Sequence, residues 1–342
     1  TVTTAEQGGW VTPYHLHPRV NGVLVGVWQN VWRSMNATGT GAPSFTKISS
    51  HITVGSGVKG TAFRFSNTNN NLCFMTWSNG TMGRYDDILN TTTTPSYITV
   101  TSPPGTGTIN DIETSYVDEN VVFVAKGTEI YRSTNKGTTW TNITGTSLPN
   151  IEVHCIVLDK NSPQGLYAGT DAGVYYKDSA MTGWIPFNTG LPLSSAIRDL
   201  EIVYDTICSS NSKIFAATYG RGLWYGDLYI SETQPTPDFT IAATACAGLN
   251  IPVNNTTPNT TSQTQFKWII TPATGVSFAS GTSDTSRYPI LNFTNQGTYS
   301  ITLKASKPSG GGFCTTTKNN IITIGSGGSI TLKTTADTTI CP

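Results

Sequence analysis

The segment Val121-Val-Phe-Val-Ala125 is followed, after a short turn, by Glu129-Ile-Tyr-Arg-Ser133 and then by Thr139-Trp-Thr-Asn-Ile143. Short β-branched and aromatic runs separated by such turns are typical of antiparallel strands. Counterparts of the first run begin 49, 49, 45 and 48 residues apart along the chain. The five runs are Val23–Val27, Leu72–Thr76, Val121–Ala125, Leu166–Thr170 and Ile214–Thr218.

The repeating unit contains four short strands, because an apolar strand also precedes each of these runs and two shorter strands follow most of them. A single four-stranded sheet buries both of its faces only when it stacks on neighbours around an axis. The repeats therefore predict an all-β fold with about five β-propeller blades in residues 1–230. These blades form either a five-bladed ring or part of a larger one. Two β-sandwiches in tandem fit the constant spacing poorly.

The repeat stops at residues 231–238, where Pro235 and Pro237 indicate an extended linker. Residues 239–325 contain alternating strands separated by longer polar loops, which predicts an immunoglobulin-like β-sandwich. Gly325-Ser-Gly-Gly328 forms a flexible hinge, and residues 326–342 are the start of a further module or tail. Both ends of the sequence suggest a mature, excised or truncated piece of a longer polypeptide, so further domains of that polypeptide are expected neighbours.

The composition excludes two classes of partner. The 342 residues include 20 Lys+Arg and 20 Asp+Glu, and charged residues make up only 12% of the chain. Without a cluster of basic residues the chain is not expected to bind nucleic acid or an anionic membrane surface. It also lacks an apolar run long enough to span a bilayer and shows no signal peptide, so membrane insertion is not expected. Loops rich in Thr, Ser, Asn and Gly favour an extracellular or outer cell-surface location.

The six cysteines include no Cys-x-x-Cys pair, which disfavours a zinc cluster. We expect neither a metal site nor a cofactor. Cys246 and Cys314 lie in the predicted sandwich and are candidates for a disulfide with each other. Cys73 and Cys155 lie in apolar strands and are expected to be buried thiols. The state of Cys208 is left open.

The segment Ser133-Thr-Asn-Lys-Gly-Thr-Thr-Trp140 resembles the Asp-box of BNR-repeat propellers, with Asn135 in place of the family's Asp. Thr218-Tyr-Gly-Arg-Gly-Leu-Trp224 resembles the last-blade motif of sortilin-like and xyloglucanase-like propellers, and residues 239–324 are similar to PKD domains. Such combinations occur in secreted proteins of Bacteroidetes, which are often cargo of the type IX secretion system. The resemblance implies a fold far more specifically than a function.

The sequence indicates no catalytic residues. Arg33 and Arg132 occupy equivalent repeat positions, which favours a structural role over the arginine triad of a sialidase. The available acids are expected in solvated loops rather than as the facing pair a glycosidase requires. These acids are Asp86, Asp87, Asp118, Glu119, Asp171, Asp199 and Glu201.

Exposed aromatic rings can bind the apolar faces of sugars, and several aromatic residues here are candidates for such a surface. The candidate ligand-binding residues are Trp28, Trp77, Tyr85, Trp184, Tyr219 and Arg221. Three short Asp-Ser/Thr segments resemble the O-glycosylation motif of Bacteroidetes, and this resemblance makes Ser179, Thr206 and Thr338 candidates for O-glycosylation.

The favoured function is that of a secreted or cell-surface, non-catalytic binding or scaffold protein of the adhesin type. Its propeller binds a glycan or a cell-surface protein, and its PKD-like module acts as a spacer. The alternatives are a polysaccharide-degrading hydrolase of the xyloglucanase or sialidase type and a subunit of an extracellular filament.

Overall fold

A computed structural model describes residues 12–49, 57–162, 164–187, 190–191, 194–205, 211–229, 235–307 and 313–326. This part of the chain contains 28 β-strands and no α-helix. None of it therefore forms a helix long and apolar enough to cross a membrane. The predicted fold class, an all-β chain of propeller blades followed by a β-sandwich, is confirmed by the sheets described below.

The first four blades are four-stranded antiparallel sheets whose strands pair in chain order. Blade 1 contains β1 (Tyr14–Leu16), β2 (Leu24–Val27), β3 (Val31–Ser34) and β4 (Thr46–Lys47). Blade 2 contains β5 (Gly60–Phe65), β6 (Cys73–Trp77), β7 (Met82–Tyr85) and β8 (Tyr97–Val100). Blade 3 contains β9 (Ile109–Thr114), β10 (Val122–Lys126), β11 (Glu129–Ser133) and β12 (Thr141–Asn142). Blade 4 contains β13 (Val153–Asp159), β14 (Gly165–Thr170), β15 (Gly173–Lys177) and β16 (Ile185–Phe187).

Blade 5 has three strands among the described residues: β17 (Ile197–Val203), β18 (Lys213–Thr218) and β19 (Gly222–Asp227). The first strands of neighbouring blades contact one another, from β1 with β5 through to β13 with β17. These first strands therefore lie nearest the central axis, and each blade extends outward from it in chain order. Polar residues on a first strand are consequently the ones placed to face a central channel.

Middle strands supply side chains to two cores because successive residues point to opposite faces of a sheet. In β10, Val122 and Val124 pack against blade 2, whereas Phe123 and Ala125 pack against blade 4. Blades 1 and 2 share another core, which includes Val25, Phe63 and Trp77. Each of these cores lies between two sheets, so a single blade has no complete core of its own.

The last described strand of the propeller differs from its equivalents in the other blades. Leu223, Trp224 and Tyr225 of β19 are exposed, whereas the corresponding strand β3 is buried at every position. Trp224 shares the register of the buried Trp32 in blade 1. It is exposed because no described sheet covers the outer face of blade 5.

The chain divides into two compact units, of which the second contains residues 204–213 and 228–342. One sheet of this unit has the order β21-β28-β27-β24, and the others pair β22-β26-β25 and β20-β23. Its strands are β20 (Phe239–Thr240), β21 (Thr244–Cys246), β22 (Asn250–Pro252), β23 (Asn254–Asn255), β24 (Gln265–Thr271), β25 (Val276–Phe278), β26 (Ile290–Phe293), β27 (Gly297–Ser306) and β28 (Cys314–Gly325). Trp268, Phe293 and Tyr299 lie in one core between the sheets.

Cys246 and Cys314 are both disulfide-bonded, but the predicted bridge between them is wrong. Cys246 is aligned with Gly325 at the end of β28. Cys314 begins the same strand and is aligned with Ala305. A strand of this length spans roughly 35 Å, whereas the Cα atoms of a disulfide lie within about 7 Å. Both residues are in the sandwich, as expected, but at opposite ends of one strand.

Cys73 and Cys155 are free and buried, which agrees with the prediction of buried thiols. Burial raises the pKa of both thiols well above the ordinary range. Cys208 and Cys341 lie outside the described residues.

Candidate functional site

A cavity of about 380 Å³ opens where the first strands of blades 2 to 5 begin. Its walls come from the starts of four different strands and from the β6–β7 turn. The lining residues are Lys59, Gly60, Thr61, Ser78, Thr108, Asn110, His154 and Arg198. We call this the mouth cavity. Three of the lining side chains carry or can carry positive charge, and no described lining residue is acidic, which favours an anionic ligand.

His154 and Arg198 form a connected group at the mouth cavity. His154 Nε2 lies 2.7 Å from Asp171 Oδ1, and Arg198 Nη1 lies 3.0 Å from His154 Nδ1. The Arg198 guanidinium also lies 5.3 Å from the centre of the Tyr219 ring. These contacts hold an exposed guanidinium beside an exposed aromatic ring. That pairing can bind a ligand with both a negative group and an apolar face.

Asn110 is held more firmly than the cationic residues around it. Its Nδ2 donates to Glu152 Oε1 at 2.7 Å and to the Val153 carbonyl at 2.8 Å. Both acceptors belong to the segment that enters blade 4, so this amide links blades 3 and 4 at the cavity wall. Lys59 Nζ, by contrast, makes no hydrogen bond within the described part of the chain, which leaves its ammonium group available to a ligand.

Deeper along the axis, charged side chains from the first strands form ion pairs between blades. Arg64 of β5 pairs with Glu113 of β9, and the Glu113 side chain is fully buried. Burial raises the pKa of Asp111 to about 6, against the opposing effects of Arg64 and of hydrogen bonds from Ile156 and Ile112. Burial also raises the pKa of Glu201 in β17.

Asp111 and Glu201 have raised pKa values, as the general acid of an enzyme does, but the hydrogen bonds of Asp111 do not suit that role. Asp111 Oδ1 accepts the Ile112 amide and Oδ2 accepts the Ile156 amide, each at 2.8 Å. Both carboxyl oxygens are therefore occupied by backbone amides, and the Oδ2 bond connects blade 3 to blade 4. A general acid needs a proton directed at a substrate oxygen. The observed bonds favour a structural role for Asp111.

Three of the aromatic ligand candidates are buried, so the prediction that they form an exposed surface is wrong. Trp77 and Tyr85 are fully buried, and Trp184 is nearly so. The indole N–H of Trp77 donates to the Gln29 carbonyl, and that of Trp184 donates to the Ile143 carbonyl. The Tyr85 hydroxyl donates to the Ile48 carbonyl. In a propeller both faces of a sheet are covered, which removes the solvent-facing side that an isolated sheet would have.

The remaining candidates lie at turns between second and third strands. Tyr219 is 75% exposed, Arg221 is exposed and Trp28 is half-buried. Antiparallel pairing places these turns at the same end of the blades as the starts of the first strands. That end carries the mouth cavity, so the structure brings Tyr219 to the site through Arg198.

The Asp-box-like segment forms a hydrogen-bonded turn. Ser133 Oγ accepts the Gly137 amide at 2.8 Å, and Asn135 Oδ1 accepts the Thr139 amide at 2.8 Å. Trp140 donates its indole N–H to the Thr101 carbonyl of blade 2. Blade 1 has a related but longer turn: Ser34 Oγ accepts the Asn36 amide as Ser133 Oγ accepts the Asn135 amide, and Asn36 Oδ1 accepts the Ser44 amide at 2.9 Å.

Most of the acids proposed for a hydrolase occupy turns or surface ion pairs, whereas Asp199 and Glu201 lie in β17 and not in a loop as expected. Asp86 pairs with Arg84, and Glu119 pairs with Lys136. Asp87 and Asp118 accept backbone amides in their own loops. No group of three His, Cys, Asp or Glu side chains within the described ranges is arranged to hold a metal ion. Ser179 is exposed, whereas Thr206 and Thr338 lie outside the described residues.

Sequence reasoning missed Lys59, Asn110, His154 and the axial group of Arg64, Asp111 and Glu113. All of them lie in or just before the first strand of a blade. The signal was the presence of polar residues in strands that are otherwise apolar. Once first strands are assigned to the axis, such residues are expected to face the channel or to link neighbouring blades.

Comparisons with known proteins give no family. No family model matches the chain, and no curated protein matches it. Among solved structures, the extracellular domain of a hybrid two component system from B. thetaiotaomicron is similar, with a TM-score of 0.47, 13% identity and coverage of 73% of this chain and 33% of that one. YCF48 bound to D1 peptide gives a TM-score of 0.44 and 13% identity over 83% and 93% of the two chains.

The GH74 xyloglucanase from Xanthomonas campestris gives a TM-score of 0.45 and 13% identity, covering 92% of this chain and 46% of the enzyme. The chain thus spans about a third of the first structure and less than half of the xyloglucanase. Similarity at this level says nothing about activity. The fold assignment rests on the sheets of the chain itself.

Proposed function

We propose that this chain is part of a secreted or cell-surface, non-catalytic binding protein whose propeller binds an acidic glycan at the mouth cavity. The observation that supports the proposal is the convergence of Lys59, His154 and Arg198 on one cavity without a described acidic residue in its lining. A carboxylate or sulfate group on a sugar is the ligand group that such a cluster favours.

The neighbouring aromatic residue favours a sugar over a simple anion. Tyr219 is largely exposed and lies against the Arg198 guanidinium. An exposed aromatic ring binds the apolar face of a pyranose, while hydroxyl and amide groups bind its polar edge. Thr61, Ser78 and Thr108 supply hydroxyl groups to the cavity lining. A uronic acid residue would match both the ring and the cation.

The non-catalytic assignment is supported by the positions of the acids. Among those nearest the axis, Asp111 and Asp199 accept backbone amides and Glu113 pairs with Arg64. A glycosidase needs two carboxyl groups that face the same bond at a defined separation. The described part of the chain offers no pair that is free of structural partners and faces the mouth cavity.

Three observations support the proposed location and relationship. Cys246 and Cys314 are disulfide-bonded, which is typical of proteins in oxidising compartments. The turn at Ser133 and Asn135 has the hydrogen bonds expected of an Asp-box, so we propose a BNR-type propeller. The nine-stranded unit 239–325, with Trp268 and Tyr299 in its core, supports a PKD-like spacer.

Isothermal titration of the full chain tests the proposal with an oligogalacturonate as the acidic probe and a xyloglucan oligosaccharide as the neutral one. We expect the acidic probe to bind more tightly and its affinity to fall as salt rises. Arg198→Ala and Lys59→Ala should each lower affinity about tenfold. Tyr219→Ala should lower affinity for the acidic probe by a smaller factor.

Lys47→Ala is the matched control, because Lys47 is an exposed lysine on the outermost strand of blade 1. It should leave binding unchanged. Equal affinity for both probes, or an Arg198→Ala variant that binds normally, would contradict the proposed site. Release of reducing ends from either probe would contradict the non-catalytic assignment and favour the hydrolase.

A further inference from the structure

A second cavity of about 220 Å³ lies between blades 3 and 4. We call it the interblade pocket. Phe123, Leu166 and Trp184 supply apolar surface, and Arg132 and Lys177 supply positive charge. The acidic residue in the lining, Asp178, already accepts the backbone amides of Ala180 and Met181 in its own turn. The pocket lies towards the outer strands and shares no lining residue with the mouth cavity. Its function is therefore independent of the glycan site proposed above.

Arg132 has equivalents in the two preceding blades, and those equivalents bind the next blade. Arg33 pairs with Val25, Arg84 with Phe74 and Arg132 with Phe123 across the same two strands of their sheets. Arg33 Nη1 donates to the Ile88 carbonyl and, at 2.8 Å, to the Asn90 carbonyl of blade 2. Arg84 Nη1 donates to the Lys136 carbonyl of blade 3 at 3.0 Å. We call each of these contacts an arginine latch.

The latch is missing at the third interface because blade 4 uses its own cation in the corresponding turn. Lys177 stands where Ser34 and Ser133 stand in blades 1 and 3. Its Nζ donates to the Asp178 carbonyl at 3.2 Å and to the Met181 carbonyl at 2.9 Å. Lys177 is therefore already the hydrogen-bond donor to the carbonyls of this turn. The Nε of Arg132, like that of Arg33, is buried and has no hydrogen-bond partner in the described part of the chain. Unlike Arg33, Arg132 also makes no Nη contact with a carbonyl among the described residues.

A buried guanidinium nitrogen without a partner is costly unless a ligand supplies the acceptor. A carboxylate suits this position because its two oxygens match the planar donors of arginine. The apolar walls require an apolar body next to that carboxylate. A cavity of about 150 Å³ holds one benzene ring, so the interblade pocket has room for a ring and a short carboxylate-bearing arm.

We propose that the interblade pocket binds a small aromatic carboxylate, with Arg132 holding the carboxylate and Phe123, Leu166 and Trp184 enclosing the ring. The carboxylate takes the role that the turn carbonyls take at the other two interfaces. Binding thus completes the arginine contact that the blade 3–4 interface lacks.

Titration of the full chain with 3-phenylpropionate tests this proposal by calorimetry and by saturation-transfer NMR. A ligand of this size is expected to bind with a Kd of about 0.1–1 mM. 3-Phenylpropanamide, which has the same ring but no charge, should bind at least about tenfold more weakly. N-acetylphenylalanine has the geometry of a peptide C terminus, so tighter binding of this probe would identify a chain end as the source of the carboxylate.

Arg132→Met should weaken binding of 3-phenylpropionate at least about tenfold, while Arg132→Lys should weaken it less. Arg84→Met is the matched control, because it removes the equivalent arginine from the neighbouring interface and should leave binding unchanged. Ile143→Phe adds bulk to a residue that lines the pocket and should also prevent binding. The proposal fails if the acid does not bind at millimolar concentration, if the amide binds equally well or if Arg132→Met binds as the parent does.

Discussion

The interface between blades 1 and 2 and the interface between blades 3 and 4 use the same residue type at the same register for different ends. At the first, Arg33 donates to two carbonyls of the next blade. At the second, Lys177 occupies the corresponding turn and Arg132 faces a cavity. The same arginine can therefore recur at a repeat position and still make different contacts, because one side chain of the neighbouring blade decides whether the turn carbonyls are free to accept from it.

The largest expected effect comes from the buried tryptophans of the two interfaces. Trp77→Ala should lower the free energy of unfolding by about 3–5 kcal/mol, because Trp77 fills the core between blades 1 and 2. Trp184→Ala should cost about 1–3 kcal/mol, since Trp184 already borders the interblade pocket on one side. Denaturant unfolding of both variants measures the difference. Equal losses would mean that the two interfaces are packed alike.

A smaller effect is expected from the arginines themselves. Arg33→Ala should cost about 1–3 kcal/mol, because it leaves two carbonyls of blade 2 without their donor. Arg132→Ala should change the free energy of unfolding by less than about 0.5 kcal/mol in the absence of ligand, because this guanidinium holds no carbonyl. The same unfolding experiment measures both values, and a destabilised Arg132→Ala variant would remove the contrast.

The two interfaces should also respond to pH in opposite directions. Burial lowers the pKa of His15, beside blade 2, from 6.5 to about 4, and Arg64 lowers it as well. Between pH 6.5 and 4, His15 is therefore protonated in the unfolded chain but not in the native state. This contribution to stability is lost as pH falls from 6.5 towards 4. Asp111, which bonds blade 4, has its pKa raised by burial from 3.8 to about 6. Its contribution is instead lost as pH rises from about 4 to 6.

Unfolding free energies measured between pH 4 and 7 separate these contributions. His15→Gln should reduce the loss of stability on acidification by about 1–2 kcal/mol. Asp111→Asn should make stability rise more steeply with pH over the same window, by a similar amount. Slopes that change in the same direction for both variants would contradict the assigned titrations.

The smallest expected difference concerns the turns. Asn36 in blade 1 and Asn135 in blade 3 each accept one backbone amide from the following loop, at 2.9 and 2.8 Å. Asn36→Ala and Asn135→Ala should therefore each cost about 1 kcal/mol, with no difference between them. Equal losses of unfolding free energy would mean that the two interfaces differ only in the arginine contact and the pocket. A clear gap would show that the turns differ as well.

Strand positions could be predicted because each blade repeats the same apolar pattern, and the period alone indicates sheets stacked around an axis. Side-chain exposure could not be predicted, because Trp77 and Trp184 lie on faces that are covered by the preceding blade. The structural role inferred for Arg33 and Arg132 is met by Arg33 alone, since the outcome at Arg132 depends on Lys177. The bridge between Cys246 and Cys314 was predicted wrongly because spacing along the chain does not show strand alignment. Cys246 lies beside one end of β28, and Cys314 lies at the other.

The two buried thiols, Cys73 and Cys155, can report how often the stacked sheets of the propeller separate. Cys73 lies in the core between blades 1 and 2, and Cys155 lies in the first strand of blade 4. Neither sulfur can reach a reagent while the sheets stay stacked, and the raised pKa values keep both protonated. Alkylation at either site therefore measures how often those sheets part. In an oxidising compartment, the same closure prevents these thiols from exchanging with the disulfide-bonded Cys246 and Cys314.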